Sequence, residues 1–266
     1  MERVSRTGAA KMIAIVAAFK DEVSEYLNDG RFRVTHKEGR LKAYESDNFP
    51  KVVVLEGGIG KDLAQSAAHM AVERYGPELM VSAGFAAGAK TGVGTGDTFV
   101  CDRLIAIEGP AYLWAGSEVM ETQLNSVHDM FASIPGGPAY KFAECLTVPQ
   151  FVANASMKRW LGSTFNASLI DMEGFWVNQT AEEFGVPCVT VKATLDPVEQ
   201  VLPGFVGKIV DPQLSKRALR AALHLTVNPA EAPRLLGLRK QVRIARTALA
   251  DLLGRIASAS NNLAAP

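Results

Sequence analysis

The feature that most constrains the fold is a repeated one: a short, branched, apolar run gives way to small or acidic residues that open a helix. Ile13 to Ala18 is followed by Lys20, Asp21 and Glu22, residue types that suit the first turn of a helix. Val52 to Leu55 leads through Gly57, Gly58 and Gly60 into a helical pattern from about Lys61 to Tyr75. Ser168 to Ile170 runs into Asp171, Met172 and Glu173, with a helix from there to Phe184, and Cys188 to Lys192 is the next strand. Arg33 to His36, Leu41 to Glu45 and Thr98 to Cys101 also read as strands. Leu79 to Ser82 reads as a buried strand ending in a turn of small residues, Ala83 to Gly88. Strands that alternate with helices imply an α/β protein, a three-layer α/β sandwich around a central mixed sheet. In such sheets ligands gather where strand C-termini meet glycine-rich turns.

Domain limits follow from where this pattern starts and stops. Residues 1–11 are small and polar and read as a flexible leader, 12–228 as the α/β domain, and 229–266 as a helical extension packed on it. The stretch from Ile107 to Tyr140 has no regular period and contains Gly136, Gly137 and Pro138, so it reads as an excursion from the sheet. In the extension, Leu235, Leu238, Val242, Leu249, Leu252 and Ile256 share one helix face, and Arg234, Arg239, Lys240, Arg243 and Arg246 take the other. Such a helix packs on the domain with a solvated basic face, or touches a membrane surface or another anionic partner.

Charge and composition narrow the functional classes. The 28 basic and 28 acidic residues cancel, so no global field draws the chain to nucleic acid. The apolar runs are too short to span a bilayer and no signal-peptide core is present, which points to the cytoplasm. Cys101, Cys145 and Cys188 fit neither a disulfide framework nor a zinc ribbon and read as packing residues. The four histidines are scattered, so no metal is expected. The string EGGIGKD lacks P-loop spacing, and no dinucleotide fingerprint is present, which disfavours a nicotinamide oxidoreductase.

Three carboxylates stand out by position: Glu22 after the first strand, Glu173 after the strand at Ile170, and Asp196 beyond the strand ending at Lys192. All three could face one cleft at the strand ends. Helix capping accounts equally well for Glu22 and Glu173, and Pro197 allows Asp196 to be a turn residue.

The segments IAIVAAFKDEV, VVVLEGGIGKDLAQSAA, VSAGFAAG with GVGTGD, LIDMEG and VTVKATLDP occur in the order of the signature segments of the nucleoside phosphorylase and nucleosidase superfamily. The resemblance spans about residues 12 to 198 and is strongest to the methylthioadenosine/S-adenosylhomocysteine nucleosidases. It implies cleavage of the bond between an adenine-type base and the ribose of a 5′-substituted adenosine. It also implies roles: Glu22 holding the nucleophile, Glu173 accepting from the ribose hydroxyls with Met172 beside the sugar, and Asp196 as the acid toward purine N7. Ile59, Gly84 and Phe85 would adjoin the sugar, and Phe151 and Val152 the base. The chemistry suits these types, because an oxocarbenium-like ribose needs a protonated leaving group and negative charge nearby.

Departures from the pattern bear on the reaction. Phe85 stands where these nucleosidases commonly carry Ser. Ser82 occupies the place of the phosphate-clamping Arg of related phosphorylases, which favours hydrolysis, though phosphate as co-substrate remains open through backbone N–H groups near Gly84. Lys192 replaces a frequent Arg. The C-terminal segments LDPVEQVLP and NPAEAPRLLGLRKQ resemble the hopanoid-associated phosphorylases, which implies the alternative of adenine release from adenosylhopane. The resemblance further implies no cofactor and a homodimer or larger homo-oligomer. A non-catalytic nucleoside-binding protein on the same fold is the alternative of another class.

Overall fold

The structure, a computed structural model, describes residues 12–110, 114, 119–124, 131, 140–202 and 232–259. Its elements run β1 (Ile13–Ala17), α1 (Lys20–Asp29), β2 (Arg33–Glu38), β3 (Leu41–Glu45), β4 (Val52–Glu56), α2 (Lys61–Tyr75), β5 (Leu79–Gly88), β6 (Thr98–Ile107), β7 (Val119–Gln123) and β8 (Lys141–Thr147). Then come α3 (Ala155–Thr164), β9 (Leu169–Asp171), α4 (Gly174–Glu183), β10 (Cys188–Asp196) and α5 (Ala232–Ala259).

The strands form one mixed sheet in the order β10-β6-β8-β9-β5-β1-β4-β3-β2, with β7 on β6. β1 lies parallel between β4 and β5, in register Ile13 with Val52 and with Leu79. Every residue of β1 is buried, and the two-residue period of a strand divides them between faces. Ile13, Ile15 and Ala17 join a core with α1 and α5, whereas Ala14 and Val16 join one with α2 and α4. Helices thus cover both faces, the expected three-layer sandwich around a central mixed sheet. β10 also pairs parallel with β5, so β5, β10, β6, β8 and β9 close on one another. α3 covers a third cluster, around Ile105, Leu146, Leu161 and Ile170.

Two strands are longer than the sequence pattern suggests. β5 continues through Ala83–Gly88, the segment read as a turn, because pairing with β10 and with β9 satisfies its backbone to the end. β10 likewise runs past Lys192 to Asp196, with a bulge between Thr194 and Asp196. Asp196 is therefore the last residue of a strand, opposite Ala87, rather than part of a free turn. The excursion carries a strand of its own, β7. Cys101 and Cys145 are buried and Cys188 nearly so, all three unbridged.

In α5 the residues Ala245, Leu249, Leu252, Leu253, Ile256 and Ala259 are buried in the same core as β1 and α1. Each Leu or Ile so buried contributes about 1.5–3 kcal/mol. Leu236 and Ile244 on the same helix stay exposed, and Leu235 lies outside the residues whose side chains are described. The leader, most of the excursion and residues 203–231 fall outside the described residues as well.

Candidate active site

A narrow cavity opens where β1 and β4 end, beside the middle of β5 and β10, and where α1, α2 and α4 begin, near the edge at which open α/β sheets bind ligands. Its walls are Val16 to Ala18, Gly57, Gly58, Ser82 to Gly84 and Val177, and its polar groups include Glu22, Glu173 and Lys192. The cavity measures about 10 Å³, the scale of a single water molecule.

Glu22 is buried in the first turn of α1. Phe19 N–H donates to its Oε2 at 3.1 Å, and Phe85 N–H, from β5, donates to Oε1 at 2.9 Å. The first bond is the capping arrangement and the second reaches across the fold, so one carboxylate both starts the helix and faces the cavity. Gly84 permits the approach, since a Cβ there would lie 3.0 Å from Glu22 Oε1. Burial raises the pKa of Glu22, and the two N–H donors with the nearby Lys192 ammonium pull it back.

Glu173 occupies the N-cap position of α4, yet its carboxylate does not cap. Asp171 does so instead, accepting from Gly174 N–H at 2.7 Å. Glu173 Oε1 accepts from Gly60 N–H at 2.9 Å, a contact between segments 113 residues apart. Gly60 holds φ at 89°, a left-handed conformation that favours glycine. The Glu173 carboxyl is pushed up to about 8, chiefly by desolvation, then by the Asp171 and Glu22 charges, against the pull of Lys192 and Gly60 N–H.

Behind these two lies a buried ion pair, Lys192 Nζ to Asp171 Oδ2 at 2.6 Å. Burial alone would lower the lysine pKa, but Asp171 and the other surrounding negative groups raise it overall. Thr147 Oγ1 donates to Asp171 Oδ1 at 2.6 Å and accepts from Phe175 N–H at 3.1 Å, which ties β8, β9 and α4 together beneath the cavity.

Asp196 stands apart from that cavity, further along β10, and its surroundings are unforeseen. Lys158 Nζ donates to Asp196 Oδ2 at 2.7 Å and to the Pro197 carbonyl at 2.7 Å, and both side chains are almost fully buried. Lys158 lies one turn into α3, whose N-terminus Asn154 caps by accepting from Ser156 and Met157 N–H. The segment after Asp196 is fastened by Leu202 N–H to the Ala153 carbonyl and by Gln200 to Gln241 of α5. Desolvation raises the Asp196 pKa, and Lys158 opposes it.

Of the remaining expected site residues, Gly84 lines the cavity, and Phe85 contributes its N–H while its ring packs against the α1 and α5 core. Ile59, Met172 and Phe151 are half-buried outside the cavity wall, and the Val152 side chain belongs to the core under α3. Sequence reading missed Asp171 and Thr147 as supports and Lys158 altogether. The available signal for Lys158 was its spacing: it shares a helix face with Ala155, Leu161 and Gly162, where an apolar residue belongs. Among the described residues no group of three or more His, Cys, Asp or Glu is placed to hold a metal ion. No described helix is long and apolar enough to cross a membrane.

The three-layer sandwich sets two carboxylates and a neutralised ammonium on one cavity, in the region where sheets of this kind bind small ligands. The chain belongs to the phosphorylase superfamily, whose family model matches residues 12–224. It is 25% identical over 209 residues to a 5′-methylthioadenosine/S-adenosylhomocysteine nucleosidase of Listeria welshimeri, covering 71% of this chain and 87% of that protein. The fold resembles futalosine hydrolase of Helicobacter pylori, with TM-score 0.68 and 16% identity over 94% of this chain and 98% of that one. It also resembles the Neisseria meningitidis 5′-methylthioadenosine/S-adenosylhomocysteine nucleosidase solved with methylthio-immucillin-A, with TM-score 0.66 and 16% identity over 92% and 98% of the two chains. As its ordered segments imply, this chain is an N-glycosyl-bond-cleaving enzyme of the nucleosidase and phosphorylase kind.

Proposed function

We propose that the chain hydrolyses the N-ribosidic bond of a 5′-substituted adenosine. The observation that carries this reading is the pair of carboxylates on one small cavity, Glu22 held by Phe19 and Phe85 N–H and Glu173 held by Gly60 N–H. The nucleosidase relatives support the substrate class. Glu22, ionised, holds and polarises a water toward ribose C1′. Glu173 accepts from the ribose 2′- and 3′-hydroxyls, with Met172 and Ile59 beside the sugar and Phe151 and Val152 toward the base. Asp196 passes a proton to purine N7 as the C1′–N9 bonding pair leaves with the base.

Water is favoured over phosphate as nucleophile on electrostatic grounds. The cavity carries two carboxylates, and the Lys192 ammonium that adjoins it is already neutralised by Asp171. The backbone donor beside Gly84, Phe85 N–H, is engaged by Glu22. Among the described residues on the cavity, a phosphate dianion would meet no free cation and would enter against like charge. The hopanoid-associated reading draws no support from the relatives above, and residues 203 and 228–231 of its C-terminal segments lie outside the described residues. A peripheral membrane contact through α5 would rest on Arg239, Lys240 and Arg243, because most of the apolar face is buried in the core.

The test is release of adenine from 5′-methylthioadenosine, S-adenosylhomocysteine, adenosine and a 5′-alkylated adenosine, each with and without phosphate. Release independent of phosphate is expected. Release only with phosphate would overturn hydrolysis, and binding of these nucleosides without any release would favour the non-catalytic alternative. Sedimentation of the full chain tests the expected homodimer or larger homo-oligomer.

A further inference from the structure

An acid that must give up a proton is here met by an ammonium that removes the need to hold one. Lys158 Nζ lies 2.7 Å from Asp196 Oδ2, with the Lys158 side chain fully buried and that of Asp196 almost so. A carboxylate so paired is stabilised in its charged form and is, by itself, a poor donor. Yet the pair as a unit holds one proton more than a bare carboxylate, and it holds it on the lysine. Lys158 is also fixed by the Pro197 carbonyl, so its ammonium cannot swing away without losing a second bond. Asp196 Oδ1, by contrast, takes no partner among the described residues. The two oxygens therefore differ, one bound to the ammonium and one not.

We infer that Lys158 is the positioning residue of Asp196 and the store of the proton that Asp196 passes to the departing base. The inference rests on the assignment of Asp196 as the group that protonates the purine. As the C1′–N9 bond breaks, its electron pair goes to the purine and Asp196 delivers a proton to N7 while Lys158 Nζ supplies one to Asp196. Lys158 is left as the neutral amine and Asp196 as the carboxylate. Water adds to C1′ and its proton passes to Glu22 and out to solvent; once the base has left, a solvent proton returns to Lys158 through Asp196, the member of the pair that keeps some exposure. The sum is nucleoside plus water giving free base plus ribose, with no other reactant.

The electrostatic surroundings leave this exchange to the pair itself. Among the described residues the charge that acts on Asp196 is that of Lys158. On the elements packed against them, Asp171 of β9 and Lys192 of β10 neutralise each other, Glu173 faces the cavity, and Arg159 on α3 and Glu199 beyond β10 are exposed. Lysine as a residue type can pass on a proton, whereas arginine does not, because guanidinium stays charged through the whole accessible range.

That difference makes the test. The pH profiles of kcat and KM for adenine release from 5′-methylthioadenosine are compared for the wild-type chain, Lys158→Arg, Lys158→Met and Asp196→Asn, each checked for folding by circular dichroism. Lys158→Arg keeps the charge and loses the proton supply, so kcat should fall by about 100-fold or more with KM within a few-fold, the scale of lost general-acid catalysis. In Lys158→Met the buried Asp196 has lost its counter-charge and holds the proton itself. That variant should keep kcat within about tenfold at its optimum, with the alkaline limb of the profile moved down by at least about one pH unit. A merely structural role predicts the reverse order, with Arg the milder change. Wild-type kcat in Lys158→Arg, or an unmoved alkaline limb in Lys158→Met, overturns the inference. If Arg does not fold at this site, the Lys158→Met profile decides alone, with Lys158→Gln as its replicate. Full activity in Asp196→Asn would instead overturn the assignment of Asp196, which separates the two failures.

Discussion

Removing the charge of Asp171 is expected to be the most costly conservative change in the chain. Asp171→Asn keeps an acceptor for Gly174 N–H and a partner for Thr147 but leaves the Lys192 ammonium, 2.6 Å away and almost fully buried, without its counter-ion. At an effective dielectric of about 20, two unit charges at that separation attract by about 6 kcal/mol, and both have already lost their hydration. Breaking one side of such a buried pair costs about 3–5 kcal/mol, which in a chain of this size lowers Tm by roughly 6–20 °C. The attraction of Lys192 to Glu173 should moderate the loss without replacing a direct contact. Denaturant unfolding of Asp171→Asn, Lys192→Met and the double variant gives the coupling directly. The double variant removes both charges and should recover most of the loss, ending within about 1–2 kcal/mol of wild type. A single-variant cost below about 1 kcal/mol, or single costs that simply add in the double variant, would refute the reasoning.

Other outcomes follow from the same geometry. Glu22→Gln keeps one acceptor for the N–H donors but loses the charge that polarises water, so kcat for adenine release should fall by about 100-fold or more with little change in KM. Gly84→Ala puts a methyl 3.0 Å from Glu22 Oε1 and should lower kcat far more than it lowers Tm. Glu173 titrates near 4.5 when unfolded and near 8 in the fold, so the folded chain binds the extra proton between those values. Its contribution to stability is therefore greatest below about pH 4.5 and declines as pH rises to about 8, and Glu173→Gln should flatten that part of a stability–pH curve. Phosphate at millimolar concentration should leave the rate of adenine release unchanged.

The layers of this fold were legible because they follow from local patterns. The apolar run of β1, the glycines ahead of α2 and the acidic start of α1 each carry their structural signal within a few residues. β5 was cut short because Ala83–Gly88 is all small residues, a composition shared by turns and by strands squeezed between neighbours. Only the pairing with β9 and β10 distinguishes the two, and β10 lies about a hundred residues downstream. The site shows the same division. Glu22 and Glu173 could be picked out by their place after a strand, but whether they cap a helix or face a ligand depends on Phe85 and Gly60, which are distant in sequence. Glu22 both caps its helix and lines the cavity, and for Glu173 the cap passes to Asp171 two residues earlier. Lys158 gave no signal beyond a charge on an apolar helix face, since its partner Asp196 is 38 residues away.

Under the proposed function, the charges of the cavity suit a cationic transition state better than a neutral ground state. Asp171 and Lys192 cancel, and near neutral pH the repulsion between Glu22 and Glu173 is relieved by a proton on Glu173, whose pKa burial and its neighbours have raised to about 8. In the proposed reaction positive charge grows on a ribose placed beside the two carboxylates as the base departs, and Glu173 then gains by ionising where before Glu22 hindered it. Interactions that strengthen only as charge develops lower the barrier without tightening the substrate equally, which is how a site raises kcat. The same energetics require the two carboxylates to be held in place before the substrate arrives. That is what the Phe19, Phe85 and Gly60 N–H groups do, on elements that the buried Asp171–Lys192 pair locks together from beneath.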